Sequence, residues 1–327
     1  MVDSKSLIKS IKNCAVRIVN AYPIKELVLL FINTGFKISP SQTTPLLLSV
    51  IDNKRSTQGL TDRLKGIVSI YSFAKSTNTP FRILFNHPFE LSQFLEPAEY
   101  NWIPTDIVME QSLLSARYVI MRKHPRFDKM FRLMPLKKQY RVYSNLDYLS
   151  QINHRFNTNY NWGDLFRELF KPTPLLQNQL NKHLSELGDS DYIACVFRFQ
   201  SLLGDFKEYK YKPVSDVEQK KLLELNRTKL IEIIAVTNSK VLVTSDSQRF
   251  IEYIRDIPQV YVIPGKVVHM DCDSDKKTEV YLKSFIDFFM ISSARMVFSI
   301  GTANMYKTNF PEYAAKINNV PFKRILI

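Results

Sequence analysis

Short apolar, β-prone runs alternate with segments of helical spacing through the second half of this chain, and that rhythm constrains the fold more than any other feature. The runs are 192-YIACVFRF-199, 240-KVLVTSD-246, 259-QVYVIP-264, 295-RMVFSIG-301 and 322-FKRILI-327. Each has the length of a buried strand. Between them, 217-VEQKKLLELNRTKLIEIIAV-236, 247-SQRFIEYIRDI-257, 278-TEVYLKSFIDFFMISSA-294 and 309-NFPEYAAKI-317 carry apolar residues at helical spacing. The alternation predicts βαβ units closing into a parallel, doubly wound sheet, with right-handed crossovers and helices on both faces.

The first half is less regular but reads the same way. Its strand candidates are 45-PLLLSVI-51, 81-FRILFN-86, 117-RYVIMR-122 and 140-YRVYSN-145; its helix candidates are 60-LTDRLKGIVSIYSFAKS-76 and 162-WGDLFRELF-170. The pattern breaks at 171-KPTPLLQNQL-180, and a polar 188-GDS-190 precedes the next strand. A boundary near residues 175–190 therefore divides an α/β domain at 1–185, with a helical N-terminal segment, from a Rossmann-like domain at 186–327. Two such domains facing one another make a cleft, a common place for a ligand.

A chain of 327 residues, 45% hydrophobic and with only eight glycines, buries a sizeable core and is neither disordered nor repetitive. Cys14, Cys195 and Cys272 show no metal-ligand spacing and cannot all pair, which favours a reducing compartment. No signal-peptide pattern opens the chain, and the most apolar segment, 26-ELVLLFINTGF-36, is too short to span a bilayer. Residues 5–36 predict helices with Lys5, Lys9, Lys12, Arg17 and Lys25 on a polar side. A pair of helices capping the domain is the favoured reading, and docking on a membrane surface is the other.

The formal charge of +14 is concentrated between Arg117 and Arg141, where nine Lys or Arg face one acid, Asp128. Such a field attracts nucleic acid, an anionic membrane or a phosphorylated small molecule, and a merely solvated face is the default. No helix-turn-helix, RNA-binding signature or zinc module accompanies it, so no nucleic-acid partner is expected.

In an open parallel sheet, ligands bind beyond the carboxyl ends of the strands. Arg198 ends the first strand of the second half, and Thr244, Ser245 and Asp246 end the second. His269 follows the third, and 300-IGTANM-305, with Thr302, Asn304 and Met305, ends the fourth before a helix. An arginine offers planar, charge-assisted donors to phosphate oxygens, and amides at a helix start hold a second phosphate. Each feature also has a structural reading. Ser245 and Asp246 look like a helix N-cap, Thr302 and Asn304 like caps, and Arg198 like one half of a structural ion pair. His269 beside Asp271 and Asp273 invites a metal reading, which is disfavoured because such neighbours are common in solvated loops. In the first half, Gly59 allows a tight turn, Thr61 or Asp62 caps a helix, and Arg63 lies in its first turn.

These segments, in this order, resemble the fucosyltransferase superfamily, which includes α1,2-, α1,6- and protein O-fucosyltransferases. The family's Gly-rich turn resembles 59-GLTDR-63, and its H-x-R-x-G-D segment resembles 196-VFRFQSLLGD-205. Its Ser-Asp strand end resembles 245-SD-246, and its last motif resembles 287-DFFMISSARMVFSIGTANMYKTNFPEYAA-315. Val196 stands where the family has histidine, Gly204 and Asp205 come later than the motif has them, and Asn304 stands where relatives often carry serine.

The resemblance implies a GT-B-like fold of two Rossmann-like domains, the first on the acceptor side. It further implies a GDP-fucose donor held mainly by the second domain, and metal-independent, inverting transfer to a glycan hydroxyl without a cofactor. Bacterial relatives of this kind build surface polysaccharide or lipopolysaccharide from the cytoplasm, some at the inner face of the membrane. Arg198 would then contact the β-phosphate, with Gly59, Arg63, Ser245, Asp246, His269, Thr302, Asn304 and Met305 as donor-binding residues. Asp62, Asp205 and His269 are the candidates for the base. A different nucleotide sugar, or nucleotide or glycan binding without catalysis, are the rival expectations.

Overall fold

The computed structural model describes residues 22–34, 45–53, 59–106, 109–122, 125–188, 191–205, 212–265 and 278–327. By its contacts the chain divides into two compact units. One comprises the chain up to Thr57 with Asp62–Phe85 and Asn101–Tyr160; the other comprises Gln58–Thr61, Asn86–Tyr100 and Asn161–Ile327. Residues 161–185, read from sequence as part of the first domain, thus belong to the second unit.

The first unit is built on strands β1 (Leu46–Ile51) and β2 (Phe81–Phe85). The short β3 (Leu95–Pro97) belongs to the second unit, and β4 (Ala116–Ile120) and β5 (Gln139–Tyr143) complete the first. The order is β2-β1-β5-β4 and every pairing is parallel. β1 reads LLLSVI and is buried at every position, as a strand covered on both faces must be. The helix Leu60–Ser76 follows β1, as its apolar spacing predicts. Gly66 lets that helix approach the exit of β5 closely, because a methyl group there would run into the Ser144 carbonyl.

The helix Tyr22–Thr34 packs Leu29 and Leu30 against Ala116, Tyr118 and Ile120. Its Glu26 accepts from the Ile120 amide at 2.6 Å and pairs with Lys129. This part of the N-terminal segment therefore caps the sheet. Residues 5–21 lie outside the described residues.

The basic stretch is partly structural as well. Arg141 is buried and donates to the Tyr118 hydroxyl at 2.7 Å and to the Glu110 carbonyl. Arg117, Arg126, Arg132 and Lys137 are exposed, Arg132 with a surface pairing to Asp128 at 3.0 Å.

The second unit opens with an antiparallel pair, β3 with β6 (Phe170–Pro172). Its main sheet comprises β7 (Tyr192–Phe197), β8 (Lys240–Ser245), β9 (Val260–Tyr261), β10 (Met296–Gly301) and β11 (Phe322–Leu326). The order is β11-β10-β7-β8-β9, again parallel throughout. These strands and the helices Asp216–Thr237, Gln248–Tyr253, Thr278–Ser292 and Phe310–Ile317 match the expected rhythm, with β9 shorter than its apolar run.

Residues 171–180, read as a break, instead open the helix Pro174–Leu187. The Thr173 side chain accepts from the Leu176 amide, and Pro174 starts the first turn, where a missing N–H costs nothing. Side chains of β7, β8, the helix Asp216–Thr237 and Phe250 form one apolar cluster around Phe197 and Phe199.

Both sheets are the α/β, Rossmann-like layers that the alternation predicts. In the second, the chain runs outward through β7, β8 and β9, then returns to place β10 on the other side of β7. The carboxyl ends of β7 and β10 therefore flank a topological switch point, where open α/β sheets leave a crevice.

Candidate nucleotide site at the end of β7

Arg198 is the first residue beyond β7, and Thr302 the first beyond β10, with Phe197 and Ile300 paired between the two strands. The two strands thus bring the backbones of these residues to the same end of the sheet, at the switch point. The Arg198 guanidinium pairs with Asp246 at 3.1 Å and keeps 19% of its side chain exposed, against 1% for Asp246.

Asp246 is tied to the loop after β7 in two further ways. Its Oδ1 accepts from the Phe199 amide at 2.8 Å, and its Oδ2 accepts from the Gln200 amide at 2.7 Å. Gln200 has φ of 54°, a left-handed conformation uncommon outside glycine, and the bond to its amide helps hold it there. Burial pushes the Asp246 carboxyl above the usual range, while Arg198 and the two amides pull it back. The carboxylate is engaged inside the protein, so its geometry is that of a clamp on the arginine loop.

The expected N-cap at Ser245–Asp246 falls one residue later. The Ser247 side chain accepts from the Phe250 amide and caps the helix Gln248–Tyr253, and Ser245 Oγ accepts from the Ser247 amide at 3.1 Å. Asp205 supports the same helix start. Its Oδ2 accepts from the Ser247 hydroxyl and from the Arg249 amide, both at 2.8 Å. Asp205 Oδ1 is buried without a hydrogen-bond partner among the described residues. The Gly204-Asp205 pair, late by the spacing of the family motif, therefore ties the loop after β7 to the helix after β8.

Beyond β10 the helix expected over 309–317 is present as Phe310–Ile317. Thr302 Oγ1 is buried and makes no hydrogen bond among the described residues. Met305 is core: its sulfur accepts from Asn226 Nδ2 at 3.5 Å and from the Thr302 amide at 3.4 Å. Asn304 is exposed.

A cavity of about 760 Å³ opens at the ends of β8 and β9. Its lining includes Asp205, Ser245 and Asp246 together with Ile263, Pro264, Gly265 and Lys283. Lys283, in the helix Thr278–Ser292, is a lining residue the sequence reading did not single out; its spacing from Asp287, four residues on, was the available signal.

In the first unit, Arg63 is fully buried with its guanidinium 5.4 Å from the Phe85 ring centroid, a cation–π contact inside the unit. Asp62 pairs with Lys65 at 2.6 Å. Gly59 has open space around its Cα. His269, with Asp271 and Asp273, lies outside the described residues. Among the described residues no group of three or more His, Cys, Asp or Glu is placed to hold a metal ion, and no helix is long and apolar enough to cross a membrane.

No family model matches the sequence, and a search of curated proteins gives no match either. Solved structures do match. The α1,6-fucosyltransferase NodZ soaked with GDP-fucose superposes with a TM-score of 0.53 at 13% identity, over 84% of this chain and 93% of that one. NodZ from Bradyrhizobium gives 0.51 at 13% identity, over 84% and 92%. A variant of Arabidopsis thaliana FUT1 in complex with GDP gives 0.56 at 12% identity, over 94% and 79%. Across most of its length, the chain shares the fold of these fucosyltransferases.

Proposed function

We propose that the chain is an inverting, metal-independent glycosyltransferase that takes fucose from GDP-fucose to a hydroxyl of a glycan acceptor in surface polysaccharide or lipopolysaccharide synthesis. The observation that carries the proposal is Arg198, clamped by Asp246 at the end of β7, where the sheet has its switch point. The likeness to fucosyltransferase structures holding GDP-fucose and GDP supports the choice of donor.

In this reading the acceptor oxygen forms a bond to the anomeric carbon as the bond from that carbon to the β-phosphate oxygen breaks. Negative charge grows on the departing GDP, and the Arg198 guanidinium, oriented in advance, stabilises it together with Thr302. Loss of one such preorganised donor costs about 2.7–4 kcal/mol of barrier, a factor of roughly 100 to 1,000. The acceptor proton passes to a carboxylate or to water; Asp205, whose Oδ1 has no partner among the described residues, is the candidate from the second unit. The exposed Arg117, Arg126 and Lys137 would favour work on anionic glycans or near an anionic membrane surface on the cytoplasmic side.

The test is release of GDP from GDP-fucose in the presence of glycan acceptors. Turnover that Arg198→Ala removes, in a protein with unchanged circular dichroism, supports the proposal. Turnover near the parent rate in that variant removes Arg198 from the mechanism. Val196, in place of the family's histidine, favours one second reading: nucleotide or glycan binding without catalysis. Tight nucleotide binding with no hydrolysis or transfer of any activated sugar would select it.

A further inference from the structure

The nucleobase end of the donor is open to inference from a buried ion pair in the cavity wall. Lys283 is 8% exposed and Asp287 3%, four residues apart on one helix. The Lys283 ammonium donates to both oxygens of Asp287, at 2.8 and 2.9 Å. Burial pushes the Asp287 carboxyl up, and the lysine opposes that shift.

A buried pair of this kind contributes little to stability, because desolvation of the two charges offsets their attraction. The backbone is nonetheless shaped around it. Gly265 adopts φ of 113°, and a Cβ there would lie 2.9 Å from Lys283 Cδ, so the loop after β9 rests directly on the lysine stem.

An ammonium has three N–H groups, and Asp287 takes two. Lys283 borders the cavity, within reach of the third. The pair is neutral overall, so what it offers a ligand is a strong donor without net attraction for an anion. That suits a carbonyl oxygen better than a phosphate. The rest of the wall is mixed: Val243, Ile251, Val260, Val262, Ile263 and Pro264 offer apolar surface for a flat ring, and Asp205, Asp246, Glu252 and Arg255 bring charge to the same cavity.

Building on the donor reading above, we propose that Lys283, held by Asp287, is a specificity-determining residue that donates a hydrogen bond to an exocyclic carbonyl oxygen of the donor's nucleobase. A base without such an oxygen, such as adenine, leaves the donor unpaired and is rejected.

The test uses calorimetric titration of the full chain with GDP and with 6-thio-GDP, which keeps the ring, the N1 proton and the 2-amino group but replaces O6 by sulfur, a poor acceptor. The wild type is expected to bind 6-thio-GDP about tenfold or more weakly than GDP. A Lys283→Met, Asp287→Leu double variant removes both charges together and so leaves none buried alone; it is expected to bind the two ligands within about threefold of each other. Lys283→Arg, which retains a donor and the pair, is expected to keep the discrimination. Equal binding of the two ligands by the wild type overturns the inference while leaving the donor reading intact, as does discrimination that survives in the double variant. If neither ligand binds, the proposed function falls, and this inference with it.

Discussion

At the scale of single residues, the decisive relationship is between Arg198 and Asp246. An arginine at a strand end has many rotamers, and catalysis by electrostatic preorganisation requires one. Asp246 supplies the constraint by holding the guanidinium and the two amides that follow it. Asp246→Asn preserves shape but replaces one carboxylate oxygen by an amide nitrogen that repels the N–H it faces. Hydrogen bonds to a charged group contribute about 1.5–3 kcal/mol, so kcat for GDP-fucose should fall roughly ten- to a hundredfold, with a smaller change in KM and a folded protein. Steady-state kinetics of that variant beside the wild type measure it; unchanged kcat would show that the clamp is not needed. Asp246→Ala should cost stability too, about 3–5 kcal/mol for the broken ion pair, seen as a lowered denaturant midpoint. The sequence placed Arg198 and Asp246 at neighbouring strand ends. It held no signal that the carboxylate would reach the amides of residues 199 and 200, because that contact spans 47 and 46 residues and exists only once β7 pairs with β8. Arg63 shows the converse: a cation in a first helical turn reads as ligand-facing, yet it is buried against Phe85.

At the scale of elements, close approach at glycine decides where two helices sit. Gly66 brings the helix Leu60–Ser76 onto the Ser144 carbonyl, and Gly163 brings the helix Trp162–Leu169 onto the Lys316 carbonyl. In each case the obstacle to a methyl group is backbone, which cannot swing aside as a side chain can. Gly66→Ala and Gly163→Ala should each destabilise by about 1–3 kcal/mol, read as a drop in Tm on thermal unfolding. A Tm within a degree of wild type would mean that the helix shifts freely. The strands and long helices of the second half were legible because their apolar runs are short, separated and regularly spaced. The helix Pro174–Leu187 was missed because two prolines within 171-KPTPLLQNQL-180 read as breakers, although Thr173-Pro174 is a helix start in which the proline costs nothing. The pair of β3 with β6 was missed because three-residue strands carry too few positions to show a period.

At the scale of the whole molecule, the parallel sheet of the second unit, with its β7–β10 switch point, accounts for where the chemistry would sit, and the titration of one buried histidine is expected to lower stability in acid. His183 accepts or donates at 2.7 Å with the Tyr261 hydroxyl and lies 3.4 Å from Glu186; Lys182, Lys283 and Asp287 are the other charges near it. Burial holds the imidazole below its ordinary value of 6.5 in spite of Glu186. The unfolded chain therefore takes up this proton first, so the contribution is complete above pH 6.5 and is lost as pH falls toward the lowered folded value. Urea midpoints measured from pH 8 downward should decline through this range, and His183→Gln should flatten the decline. An equal slope in both proteins would assign the acid response elsewhere. The central claim is that the switch point takes a nucleoside diphosphate through Arg198. Calorimetric titration of GDP into wild type and Arg198→Ala tests it most directly. The account predicts that the wild type binds GDP and that the variant, folded by circular dichroism, binds it at least about tenfold more weakly; equal affinity in the two proteins would contradict it.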